Sequence, residues 1–280
     1  MRQRPVFLVS CLCFGFVFLY VPILSLMVFS FNASRLAAVW GGFSTQWYVK
    51  LFSNAQMINA ALLSVKIAVV SATAATVLGT LAGLALARFP RFRGRTGLLG
   101  LVTVPLMMPE VITGIASLML FIVMAKWIGW PGSRGFTTIT IAHITFSMAY
   151  VTLVVQSRLS SMDVSLEEAA MDLGAKPWGV FADVTLPVIA PAIIAGWLLA
   201  FTISLDDLVI TSFTGGPGST TLPILIWSKV RLGVTPDINA LATLIITLVA
   251  IIVAGAAFIL RRAGAQRERE AEAALSERRS

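Results

Sequence analysis

Six apolar stretches, at about 6–31, 58–87, 98–125, 136–157, 188–213 and 238–260, set the limits on what this chain can fold into. Each is long enough for the roughly 20 residues of helix that cross a hydrocarbon core of about 30 Å. In lipid a chain must satisfy its own backbone hydrogen bonds, which a helix does within one segment. The pattern therefore predicts an all-α polytopic membrane protein with six transmembrane helices in a single domain, 1–280. Composition agrees: 58% of the residues are hydrophobic and 12% charged, where a globular domain carries about 25% charged. A soluble fold could not cover its surface with so few polar groups, and a disordered chain would need more charge. Arg2 and Arg4 make the first stretch imitate a signal peptide, but its apolar run is too long for an h-region of about 7–15 residues, so an uncleaved span is expected. Cys11 and Cys13 lie within it two residues apart; a helix points them in different directions, and they read as small apolar residues.

Charge predicts the orientation, because Lys and Arg gather in the cytoplasmic loops. With the N-terminus inside, 14 of the 21 basic residues and nine of the 13 acids fall in cytoplasmic segments, and both termini are cytoplasmic. Arg35, Lys50, Lys126, Arg134, Lys229 and Arg231 fall outside, as does Asp237, while Glu110, Asp206, Asp207 and Lys66 fall within apolar stretches. The net charge of +8 thus resolves into two basic layers around an acidic interior, and it gives no ground for a nucleic-acid partner.

Residues 158–187 form the most polar internal stretch, RLSSMDVSLEEAAMDLGAKPWGVFADVTLP. Asp163 or Ser165 can cap a helix whose first turn holds Glu167 and Glu168, where acids suit the positive helix end. Gly174 ends that helix and Pro177 prevents its direct continuation. A second short helix is expected over about 177–184. Two amphipathic helices with a bend between them would present an apolar face to a partner's groove.

The order Glu168-Ala169-Ala170, Gly174, Val184 and Leu186-Pro187 resembles the EAA coupling motif of importer-type ABC transporter permeases, with Val184 where that family usually has Ile. FSFNASRLAAVWGGFSTQWY, PLMMPEVITGI, AHITFSMAYV, SLDDLVITSFTGGPGSTTLPILIWSKVRLGV and PDINALATLI further resemble the polyamine permeases, above all the second permease subunit of putrescine importers. The resemblance implies a MetI-like fold in the bacterial inner membrane. It also implies import of a polyamine, putrescine before spermidine. It implies a homologous second permease, two copies of a cytoplasmic ABC ATPase that bind the ATP and Mg, and a periplasmic polyamine-binding protein. No cofactor is expected on this chain.

The residues themselves argue against other chemistry. A phosphate-cradling loop needs a Gly-Lys pair, and none of Lys50, Lys66, Lys126, Lys176 and Lys229 follows a glycine. His143 is the sole histidine. An intramembrane hydrolase would need it to meet a Ser and an Asp within the bilayer, and a stand-alone channel would have no use for the polar stretch at 158–187.

Ionisable groups within a span usually face a cavity or a partner. Glu110, about 12 residues into the third stretch, is expected near the bilayer middle, with Asp206 and Asp207 a little further out. Adjacent residues on a helix point about 100° apart, so one of the two aspartates can face a path while the other caps a helix break or pairs with Lys66. A cationic cargo calls for carboxylates and aromatic faces; Ser204, Trp47, Tyr150 and Trp227 complete the candidate path. Residues 222–232, after a turn-rich segment, read as a short amphipathic helix at an outer gate or docking surface.

Overall fold

The computed structural model describes residues 6–35, 39–232 and 236–277. In order the helices are α1 (Val6–Phe29), α2 (Gln46–Ser53), α3 (Ala55–Arg88), α4 (Arg95–Met107), α5 (Glu110–Ile128), α6 (Phe136–Ser160), α7 (Ser165–Asp172), α8 (Pro177–Val180), α9 (Leu186–Asp206), α10 (Val209–Thr214), α11 (Leu222–Leu232) and α12 (Pro236–Glu277). Among the described residues, six helical segments are long and apolar enough to cross a membrane, as the sequence predicts.

Three elements differ from the expected ones. The third stretch is not one helix: α4 stops at Met107 and α5 starts at Glu110, with Met108 extended at φ −84°, ψ 138°. Pro109 is the cause, since its ring pushes the preceding residue out of helical geometry and it has no N–H to give. Glu110 therefore opens a helix instead of lying 12 residues inside one. The fifth stretch also breaks, at Asp207 (φ −64°, ψ 122°), before α10 resumes. Finally, the second short helix expected at 177–184 is not separate. A π turn, Phe181–Thr185, joins α8 to α9, so Pro177–Asp206 runs as one span.

Two compact units are defined by the packing. One comprises residues 1–58 and 226–280. In it the connection after α1 folds around Asn32, which is fully buried. Its amide donates to the Val39 carbonyl (2.7 Å) and accepts from the Gly41 N–H (2.7 Å), while the Trp47 indole donates to the Asn32 carbonyl (2.6 Å). An otherwise irregular loop is thereby given internal partners for its backbone, as buried polar groups require.

The other unit, residues 59–225, is built on α6. Ile139, Ala149, Val151, Val155 and Leu159 of this helix are fully buried. Neighbouring helices approach through glycines: a Cβ on Gly79 of α3 would lie 2.8 Å from Val151 Cβ, and one on Gly196 of α9 would lie 3.2 Å from Val151 Cγ1. Small residues at these crossings let backbones close on each other, the packing mode that works where lipid removes the hydrophobic drive. Gly79→Ala should therefore destabilise the protein by a net of about 1–2 kcal/mol, overpacking outweighing the gain in helix propensity. Gly15→Ala, with nothing within 4 Å of its Cβ, should leave stability unchanged or raised. Thermal unfolding in detergent compares the two.

Candidate functional site

Two places in the second unit bring polar side chains together, one at the connection between α6 and α9 and one at the break between α9 and α10.

The first is the polar stretch that carries the motif. Asp163 Oδ1 accepts from the Ser165 N–H (2.9 Å), a turn that leads into α7 without capping it. That bond holds the Asp163 carboxyl below the usual carboxylate range. The turn is thus intact at neutral pH and is lost as acid protonates the group. At the far end Gly174 sits at φ +87°, a conformation that L side chains rarely adopt, and the chain turns there into α8. Glu168 and Ala169 face solvent, and Leu186 and Pro187 lie at the exposed start of α9. Ala170 is half-buried. The knob exposes Val164, Leu166, Met171, Leu173 and Trp178, with Leu173 90% and Trp178 76% accessible.

What holds this knob is a cluster that sequence reasoning passed over. Arg88, at the end of α3, donates through Nη2 to Glu167 Oε1 (3.1 Å), places Nε 2.9 Å from Oε2, and donates through Nη1 to the Leu159 carbonyl (3.2 Å). Thr185 in the π turn donates to the same Glu167 oxygen (2.6 Å). Glu167 reads in the sequence as a first-turn acid stabilised by the helix end. In the structure it also ties three segments together, and only the folding of α3 against this connection brings in its arginine. Glu167→Gln should increase hydrogen exchange across 165–185, since it weakens a half-buried pair worth about 1–3 kcal/mol. Glu168→Gln, fully exposed, should leave the exchange unchanged.

The second place lies where α9 breaks. Asp207 Oδ1 accepts from the Ile210 N–H (3.1 Å), and Oδ2 accepts from the Thr211 N–H and hydroxyl, both at 2.7 Å. These are the free donors at the start of α10, the groups a helix leaves without partners at its first turn. His143 of α6 completes the arrangement, with Nε2 at 3.1 Å from Asp207 Oδ2 and 3.0 Å from Thr211 Oγ1, and Nδ1 at 2.6 Å from Ser204 Oγ. Ser71 of α3 donates to Ser204 (2.9 Å). The far end of α10 is held too: Thr138 Oγ1 donates to the Thr214 carbonyl (2.8 Å) and Arg134 donates to that of Phe213 (3.1 Å). Against its side packs Gly114 of α5, where a Cβ would meet Phe213 Cδ2 at 2.6 Å.

Of the two aspartates, then, Asp207 is the one that caps, and its partner is His143 and not Lys66. The Lys66 ammonium stands 5.0 Å over the Phe136 ring. Asp206 ends α9 exposed, within electrostatic reach of Asp207 and of Glu110, which opens α5 and is itself exposed. Ser204 is buried in the His143 network. Tyr150 is half-buried, its ring edge-on to Phe146 at 5.4 Å. The other two aromatic candidates lie in the first unit and are occupied by cations of the chain itself: the Lys50 ammonium stands 4.5 Å from the Trp47 ring and the Arg231 guanidinium 5.2 Å from that of Trp227.

Ser204, His143 and Asp207 have the contacts of a hydrolytic triad. The surroundings do not serve one. Ser204 is 5% exposed and His143 3%, so no acyl group reaches the hydroxyl. Ser204 also sits inside α9, whose amide N–H groups are engaged along the helix and offer no oxyanion site.

Six apolar helical segments, one ending and one beginning at a break that carries a carboxylate, and an amphipathic knob projecting between α6 and α9 define a polytopic membrane protein of the permease kind. The family model for the inner membrane component of binding-protein-dependent transport systems matches residues 75–269, and the chain belongs to that family. It is 55% identical over 263 residues to the putrescine transport system permease protein PotI of Escherichia coli K12, covering 94% of each chain. It is 43% identical over 233 residues to the spermidine/putrescine transport system permease protein PotC of Haemophilus influenzae, covering 83% of this chain and 88% of that one. In fold it resembles a chain of a bacterial ABC transporter that imports the acidic polysaccharide alginate. That match has a TM-score of 0.73 at 20% identity, covering 92% and 94% of the two chains. A second structure of the alginate transporter, in complex with its pentasaccharide-bound periplasmic protein, gives 0.70 at 19% identity, covering 92% and 93%.

Proposed function

We propose that this chain is the permease subunit of an ATP-driven importer of polyamines, with putrescine as the cargo before spermidine. The observation that carries the reading is that two helix breaks each leave an exposed carboxylate, Asp206 at the end of α9 and Glu110 at the start of α5, within electrostatic reach of each other. The C-terminal end of α9 adds to them, because its last carbonyls lack intrahelical partners and carry partial negative charge. Ends of broken helices coordinate cations in membrane transporters in this way. A diammonium chain fits such a site through transient contacts, which a path needs so that cargo can leave as well as enter. The putrescine permease among the relatives supports the choice of cargo.

The same reading assigns the knob. Its exposed Leu173 and Trp178, which lie within the Glu168–Pro187 stretch of the motif, would dock on a cytoplasmic ATPase that binds ATP and Mg. The N- and C-termini would then be cytoplasmic. A homologous permease would complete the pathway and a periplasmic polyamine-binding protein would deliver the cargo. Residues 222–232, helical as α11, would lie at the outer end. A stand-alone channel would run without ATP, and co-purification of an ATPase separates that case.

Three outcomes are expected in the reconstituted complex. Asp206→Asn should lower putrescine uptake about tenfold or more, the scale of one lost charge contact, with assembly and thermal stability unchanged. Asp207→Asn should lower uptake and stability together, because it weakens the cap of α10. Undiminished uptake in Asp206→Asn would remove that carboxylate from the path. Gly174→Asp, strained at its positive φ, should leave ATP hydrolysis running without response to the loaded binding protein, which an ATPase assay with and without that protein reads.

A further inference from the structure

We propose that His143 is a positioning residue of the cation path. It acts through Asp207 to hold the break at the end of α9, and so to set where the Asp206 carboxylate stands, and it does so as a neutral imidazole with its proton on Nε2. The inference rests on the polyamine-path reading above.

Ser71 and Ser204 have one hydroxyl hydrogen each. Ser71 Oγ is 2.9 Å from Ser204 Oγ and 3.3 Å from the Ala68 carbonyl. The shorter contact takes the Ser71 hydrogen, and Ser204 accepts it. The hydrogen of Ser204 is then free for His143 Nδ1 at 2.6 Å, an assignment that leaves that nitrogen bare. On the other side of the ring the Thr211 hydroxyl gives its hydrogen to Asp207 Oδ2 at 2.7 Å. Both oxygens near Nε2, at 3.0 and 3.1 Å, are therefore acceptors, and Nε2 must carry a hydrogen. With one proton on the ring every donor in the chain from Ser71 to Asp207 has an acceptor.

A second proton would break this order. It would turn the Ser204 hydrogen away from Nδ1, drive the Ser71 hydrogen to the longer contact with Ala68, and place a positive charge beside the residue that follows Asp206. Among the described residues Asp207 is the ionic group within salt-bridge distance of the imidazole. The helices packed on α6 also carry Asp206, Glu110 and Lys126, Arg95, and Lys66 and Arg88. A cation arriving at Asp206 and Glu110 would meet an imidazolium behind the carboxylates where the neutral ring now stands.

The test uses the assembled complex in vesicles with saturating putrescine-loaded binding protein, so that the binding protein governs KM and the path governs kcat. Wild-type kcat should fall between mild alkali and mild acid. His143→Gln keeps an amide donor and a carbonyl acceptor and is neutral at every pH. It should retain most of the rate in mild alkali and lose the part of the acid fall that belongs to the ring. His143→Ala should lower kcat about tenfold with KM unchanged. An acid fall in His143→Gln equal to that of the wild type, or wild-type kcat in His143→Ala, overturns the proposal. Should His143→Ala not assemble, the His143→Gln profile still decides. The tautomer has a readout that does not depend on transport. His143 is the sole histidine, so protein purified through a histidine-free tag gives one imidazole in 15N NMR. A protonated Nε2 and bare Nδ1 at neutral pH are expected. The opposite tautomer or a doubly protonated ring overturns the proposal, whereas a complex that takes up no polyamine at any pH counts against the cargo reading alone.

Discussion

A helix that stops inside a membrane protein exposes backbone groups that lipid cannot satisfy, and the rest of the polar architecture follows from that constraint. At Asp207 the chain leaves α9, and the donors that open α10 are taken by the carboxylate of that same residue. The carboxylate then needs a partner of its own, which α6 supplies as His143. The imidazole needs a partner on its other nitrogen, which Ser204 supplies, with Ser71 of α3 behind it. One break thus recruits side chains from three helices, and their hydrogen bonds fix how those helices stand to one another. The glycine crossings at Gly79 and Gly196 make that closeness sterically possible.

The two neighbouring aspartates show how this geometry divides labour. Asp207, turned into the protein, is spent on structure. Asp206, the last residue of α9, is left exposed within electrostatic reach of Glu110. Sequence alone states that the two must differ. It does not say which is which, because the choice depends on where α6 places its histidine. Glu110 reverses the lesson. Counting residues along an unbroken helix puts it deep in a span, but the Pro109 break makes it the first residue of a new helix, in a position where its charge also suits the helix end.

Much of the fold was legible because its signals are repetitive. Apolar runs of the right length give six membrane helices, and the motif from Glu168 to Pro187, with Gly174 in its left-handed turn, lies where the spacing put it. The breaks at Met108-Pro109 and Asp207-Leu208 were less legible. Hydropathy is blind to a two-residue interruption, although Pro109 was a visible local signal. The Arg88–Glu167–Thr185 cluster was not legible at all, since its members are 79 and 18 residues apart and only packing unites them. Trp47 and Trp227 show what an aromatic candidate read from sequence leaves out, since a lysine and an arginine of the chain stand over their rings.

The π turn at Phe181–Thr185 has a mechanical consequence. Because it joins α8 to α9 without an end, the 30 residues Pro177–Asp206 form one continuous helical segment, roughly 45 Å along its axis at about 1.5 Å per residue. Trp178 stands near one tip and Asp206 is the other. Between them the segment makes its close crossing with α6, where a Cβ on Gly196 would lie 3.2 Å from Val151 Cγ1. The exposed tryptophan of the knob and the exposed carboxylate at the break are in this sense the two ends of one continuous stretch of helix.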